Sequence, residues 1–342
     1  MKKVILPLLI VAVVIGCISA APAGQNPPPA KPEAKPPARL PIPKEVGMAM
    51  SEMLKTKQAR LDVPFEIFKS LILPARDGIH SVFFFKAKNA DLGFASDAVS
   101  GKMKAVFNAY ALINKLENGV PKIISAGLAM PTTLETDAAG FDPQKEEWYS
   151  FGIPLFPGDY ILTLALTPDN KKMGIQHYEF KLPDPKSYTM ALDTTPIFFT
   201  SETKQVQTAE ITPQIHQGWF PWSILQMTPA LDNVISLGKT LDFLFFVFGC
   251  QPVSGSTKYD LEVKFQVFQG DKIQINWAPG LRDSPFIQMA LPLKQTLQTK
   301  EGDKVIKTEQ RDLPAGDYTF VAKITDKTTG LAVEKRTDFT VK

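Results

Sequence analysis

From Pro64 to the C-terminus, apolar and polar residues alternate in short runs, with Gly, Pro, Asn and Asp clustered between them. That pattern predicts strands turning one face to a core. It is clearest in a stretch that occurs twice. Phe156-Pro157-Gly158-Asp159-Tyr160 leads into Ile161 to Leu166, and Leu313-Pro314-Ala315-Gly316-Asp317-Tyr318 leads into Thr319 to Ile324. Pro and Gly set the backbone of each turn, and each Tyr opens a strand. The inward residues are predicted to be Tyr160, Leu162, Leu164 and Leu166 in one copy, and Tyr318, Phe320, Ala322 and Ile324 in the other.

Other runs follow the same order in both halves. Val82 to Phe85 corresponds to Phe243 to Phe248, and Val106 to Ile113 to Leu261 to Phe268. After the Gly-Asp-Tyr strand, Gln176 to Leu182 corresponds to Leu331 to Val341. The two Tyr are 158 residues apart, and Phe180 and Phe339 are 159 apart. A nearly constant offset over several strands predicts a tandem duplication with its junction near Pro185 to Thr195. With no convincing amphipathic helix, the fold class is all-β, with two tandem β-sandwiches at 46–190 and 191–342. The start of the first, Val46 to Leu61, fits a short helix or a strand and is left open.

The Pro-x-Gly-x-Tyr turn before a late strand resembles secreted bacterial immunoglobulin-like and fibronectin-type-III-like modules. The resemblance covers about thirty residues at the end of each copy. It implies that Tyr160 and Tyr318 are corner residues whose hydroxyls tie back to the backbone, with Gly158, Asp159, Gly316 and Asp317 shaping the turns. The Cys and core Trp spacing of antibody domains is absent.

The N-terminus has a different character. Met1-Lys2-Lys3 and the apolar run Val4 to Ile15 predict an export signal over 1–16, too short to span a bilayer comfortably. Val14-Ile15-Gly16-Cys17 resembles the bacterial lipobox, which implies that Cys17 carries a lipid. The alternative is plain secretion after cleavage beyond Ala21-Pro22-Ala23. Residues 17–45 run from Cys17 into a stretch of Pro, Ala and Lys, Ala20 to Lys44, which predicts an extended tether of ~70 Å. The location implied is membrane-anchored in the periplasm or at the cell surface, or secreted if Cys17 is not modified.

Composition narrows the function classes. The chain has 342 residues and a formal charge of +3, of which Lys2 and Lys3 contribute two. No basic stripe is present for nucleic acid. Loss of the signal with lipid on Cys17 leaves Cys250 as the one free thiol, read as a small buried hydrophobe. The three His, at 80, 177 and 216, are separate in sequence and predict neither a metal site nor a catalytic dyad. A Gly-x-Ser-x-Gly elbow and a phosphate-cradling Gly loop are absent. Glu146-Glu147 beside Trp148 is the best carboxylate pair for glycoside hydrolysis, while Asp159 and Asp317 are read as turn residues bonding nearby amides. No cofactor, metal or catalytic residue is expected.

Two features stand out. The Phe-rich strands are apolar on both faces, which predicts central strands covered by long loops or by the sister domain, or else a groove for lipid or a partner strand. Gly218-Trp219-Phe220-Pro221-Trp222 has no counterpart in the first copy. Trp219, Phe220 and Trp222 either form a surface for an unknown protein or glycan, or plug the groove between the domains. These readings together imply a non-catalytic, lipid-anchored binding or scaffolding protein of the bacterial envelope. The alternatives are a carbohydrate-binding module or β-fold glycoside hydrolase, and, more remotely, a lipid carrier.

Overall fold

In the computed structural model, residues 41–75, 78–168, 172–183, 191–210, 212–301 and 304–342 are described. The expected signal segment, Cys17, nearly all of the tether and part of the expected junction lie outside them. The fold is an all-β sandwich with, among the described residues, one α-helix, α1 (Lys44–Thr56). In the first half the main strands are β1 (Glu66–Ala75), β2 (Gly78–Lys88), β3 (Met103–Glu117), β4 (Val120–Thr136), β5 (Glu146–Leu155), β6 (Gly158–Thr167) and β7 (Gly174–Leu182). The second half has β8 (Phe198–Gln205), β9 (His216–Gln217), β10 (Phe220–Trp222), β11 (Leu225–Pro229), β12 (Thr240–Phe248), β13 (Leu261–Gln269) and β14 (Lys272–Asn276). It ends with β15 (Phe286–Pro292), β16 (Lys294–Glu301), β17 (Lys304–Asp312), β18 (Gly316–Asp326) and β19 (Ala332–Val341).

Each half stacks two sheets, as amphipathic strands must to hide an apolar face. In the first, β7-β6-β3 packs on β9-β5-β2-β1, with β4 paired to β3. In the second, β19-β18-β13-β14 packs on β15-β12-β8-β11-β10. All eight residues predicted to face inward are buried, four in each core. The repeat extends to register, since Tyr160 lies opposite Phe180 and Tyr318 opposite Phe339. The paired rings are 5.4 Å and 5.7 Å apart. Tyr160 donates to the Phe156 carbonyl at 2.9 Å, and Tyr318 to the Pro314 carbonyl at 2.8 Å, each four residues upstream. Gly158 and Gly316 share a φ of +153°, a conformation costly for any residue with a Cβ.

One open reading is resolved and one expectation is corrected. The segment left open forms α1, where Val46 and Met50 pack on Tyr110, Leu112, Ala165 and Ile175 of the first sandwich. Its apolar residues at 46, 48 and 50 alternate like a strand, while 46, 50 and 54 follow the helical period. The second set is buried, and Met48 is exposed. Asp159 and Asp317 find partners across the strands and not in their own turns. Asp159 pairs with Lys181 at 3.5 Å, and Asp317 accepts from the Thr340 hydroxyl at 2.7 Å.

The halves also differ from each other. In the first, β5 passes into β6 within a few residues. At the same place the second half inserts the exposed hairpin β16–β17, which pairs with no other strand among the described residues.

Candidate functional site: the aromatic seam and its strap

A strand is buried on both faces when something covers its outer side, and here the cover is the other half of the chain. Phe83 and Phe85 point into the first core, whereas Val82 and Phe84 join Leu71 and Leu73 in a separate cluster. Phe198, Phe220, Met227 and Leu244 of the second half complete it. Phe84 meets Phe198 at 5.9 Å, Phe220 at 5.7 Å and Trp148 at 6.0 Å. Such ring pairs add stabilisation beyond the area they bury. Lys69 borders the seam with its ammonium 5.2 Å over the Phe198 ring, and burial pulls its pKa below the usual lysine value.

This arrangement divides the aromatic motif. Phe220 is fully buried in the seam, which removes it from any binding surface. The reason is local: β10 pairs with β11, Phe220 opposite Met227, and both side chains enter the seam. Trp219 and Trp222 remain half-exposed on either side. The Trp219 ring lies 3.8 Å from His216, and the Trp222 ring 4.4 Å from Phe286. Trp148, also half-exposed, packs with Trp222 against the seam cluster.

No known protein family matches this chain, and no curated protein is significantly similar to it.

The other candidate residues separate by position. Glu146 and Glu147 are adjacent on β5, so their side chains leave opposite faces and cannot share a substrate. They pair instead with Lys86 at 3.2 Å and Lys145 at 2.6 Å. His177 is held by Thr163 Oγ1 at 2.9 Å and the Gln58 carbonyl at 3.1 Å, and burial pulls its pKa down. Cys250 is half-buried. Burial, reinforced by the charge of Asp326, pushes its thiol up to about 11. Asp326, which no motif singled out, is fully buried and accepts from the Gln251 and Thr328 amides and the Thr329 hydroxyl, at 3.0, 2.9 and 3.0 Å.

Sequence spacing conceals one cluster. His216, expected to stand apart, meets a carboxylate, that of Glu210. After β8 the chain leaves the second sandwich and crosses to the first. There β9 pairs with β5, His216 opposite Ser150 and Gln217 opposite Tyr149. The chain then returns as β10. This strap is pinned by Gly218 N–H to the Trp148 carbonyl at 3.2 Å and by Ser150 Oγ–H to the Trp219 carbonyl at 2.7 Å. Beneath it, His216 Nε2 is 2.7 Å from Glu210 Oε2, close in distance but poorly aligned for a hydrogen bond. Burial pulls the pKa of His80 on β2 down, an effect that the Pro221 carbonyl and the Glu210 charge partly offset. Among the described residues, no group of three or more His, Cys, Asp or Glu is arranged to hold a metal ion, and no helix is long and apolar enough to cross a membrane.

Proposed function

We propose that the chain is an exported, lipid-anchored protein of the bacterial envelope that binds or scaffolds a partner without catalysing a reaction. The observation that carries this reading is the order of segments at the N-terminus: a basic start, an apolar run, Cys17, then a Pro-rich stretch that ends where α1 begins. Helix α1 suits an attachment point. Ile42, Val46 and Met50 belong to one apolar cluster with Tyr110, Leu112 and Ala165, so tension on the tether would pass to the sheet. Trp219 and Trp222 supply half-exposed rings for a protein partner. The same rings favour the second reading, a glycan-binding module, because flat aromatic faces also stack on sugars.

Anchoring is tested by labelling cells with palmitate. The wild-type protein is expected to take up label and partition with membranes, and Cys17→Ser to lose both. A wild-type mature protein that begins at Gly24 and carries no lipid contradicts the proposal.

A further inference from the structure

We propose that the hairpin β16–β17 is a self-association arm, whose strand β17 pairs antiparallel with β17 of a second copy of this chain, Thr308 on the twofold axis. The hairpin is well formed but unsupported. Its register runs from Lys294 opposite Asp312 to Glu301 opposite Lys304. At its base the Leu313 N–H bonds the Leu293 carbonyl at 2.8 Å, and both leucines are buried. Beyond the base, Leu297, Val305 and Ile306 are 39%, 41% and 54% exposed, so no core backs the ribbon. A two-stranded ribbon is marginal by itself in water, and a further strand is the ordinary remedy.

Strand β16 runs beside β14, whereas no described strand bonds the outer edge of β17. Such an edge is a row of backbone donors and acceptors that can take up another strand. The charge order says which strand. Lys307, Glu309 and Arg311 share one face of β17, where Glu309 pairs with Lys307 and, at 2.9 Å, with Arg311. Lysine on an open edge deters most strands. A second β17 laid antiparallel about Thr308 is an exception, because it sets Glu309 of each copy opposite Lys307 of the other and closes a square of alternating charge.

Other registers do worse. An axis at residue 307 or 309 puts Lys307 against Lys307 or Glu309 against Glu309, which is repulsive. An axis at Gln310 pairs Glu309 with Arg311 but leaves Ile306 uncovered and sets Lys307 against Leu313, whose side chain belongs to the second core. About Thr308, Ile306, the extra residue at the register shift of the hairpin, lies opposite Gln310 of the second copy. The contact is small beside the ~1,600 Å² of standard interfaces, so it forms at high local concentration. Anchoring through Cys17 would supply that concentration, but the pairing itself does not depend on it.

Sedimentation of the chain from residue 17 onward, carrying Cys17→Ser and Cys250→Ser and taken up to about 1 mM, tests this without lipid. This parent chain is expected to pass from monomer to dimer. Lys307→Glu and Glu309→Lys should each weaken the dimer about tenfold, because two cross-strand contacts change sign. Mixed in equal amounts, the two variants should associate as the parent does, since each supplies the charge that the other lacks. Damage within one chain is not repaired by mixing. Under oxidation Thr308→Cys should give a disulfide-linked dimer, whereas in Gln310→Cys the two thiols stand about 14 Å apart along the paired strands, beyond reach of a disulfide. A parent chain that stays monomeric, a mixture no tighter than its components, or linkage faster at 310 than at 308 overturns the proposal. If neither charge variant keeps the hairpin, the two cysteine variants decide. Palmitate labelling is read separately, so neither result settles the other.

Discussion

Replacing Phe220 with alanine is expected to destabilise the folded protein by about 4 kcal/mol, because truncating a fully buried Phe loses its transfer energy and leaves a cavity. Phe220 contacts a ring from each half, Phe84 at 5.7 Å and Phe198 at 6.0 Å. Its loss should therefore weaken the hold of one sandwich on the other as well as local packing. Urea denaturation reads the effect as a lower midpoint. Trp219→Ala removes a half-exposed ring and should cost clearly less. If the two variants lost equal stability, the placement of Phe220 at the centre of the seam would be wrong.

The second large effect belongs to the repeated corner. Tyr160→Ala and Tyr318→Ala should each cost about 2–4 kcal/mol, since each ring is buried and each hydroxyl bonds a carbonyl four residues upstream. Tyr→Phe at either position removes only the hydroxyl bond and should cost about 1 kcal/mol. The two sites should respond alike, because glycine conformation, hydrogen bond and facing Phe all recur. Denaturation of the four variants checks this, and a tyrosine that tolerates alanine without loss would show that its corner is not structural.

The corner was legible because most of what makes it is local: a Pro-Gly turn, a Tyr, and inward residues predicted at every second position of the next six. The same is true of β13 and β19, whose bounds fall close to the predicted runs. What could not be read depends on distant partners. Strand β4 carries an alternating buried set, Ala126, Leu128, Met130 and Leu134, but Pro121 and Pro131 disguise it, and proline is accommodated because β4 pairs only with β3. Helix α1 was ambiguous because three alternate residues are apolar, and only packing on Tyr110 and Leu112 decides between the two periods.

The site was less legible than the fold. Composition marked the Trp-Phe-Pro-Trp stretch, yet nothing in it says that Phe220 turns inward while its neighbours stay half-exposed. The register of β10 on β11 decides that. Glu210 and His216 meet on a strap that leaves one sandwich for the other, and no spacing rule puts that strap on β5. Asp326 is a similar case, a lone acid in a turn whose burial and three donors appear only when the turn closes over Gln251.

The central claim is that the two sandwiches are locked into one body through Phe84, Phe198 and Phe220. Calorimetry of the mature protein tests it most directly. A single transition, with calorimetric and van't Hoff enthalpies equal, is the predicted result. Two separable transitions, with Phe220→Ala shifting neither relative to the other, would contradict it.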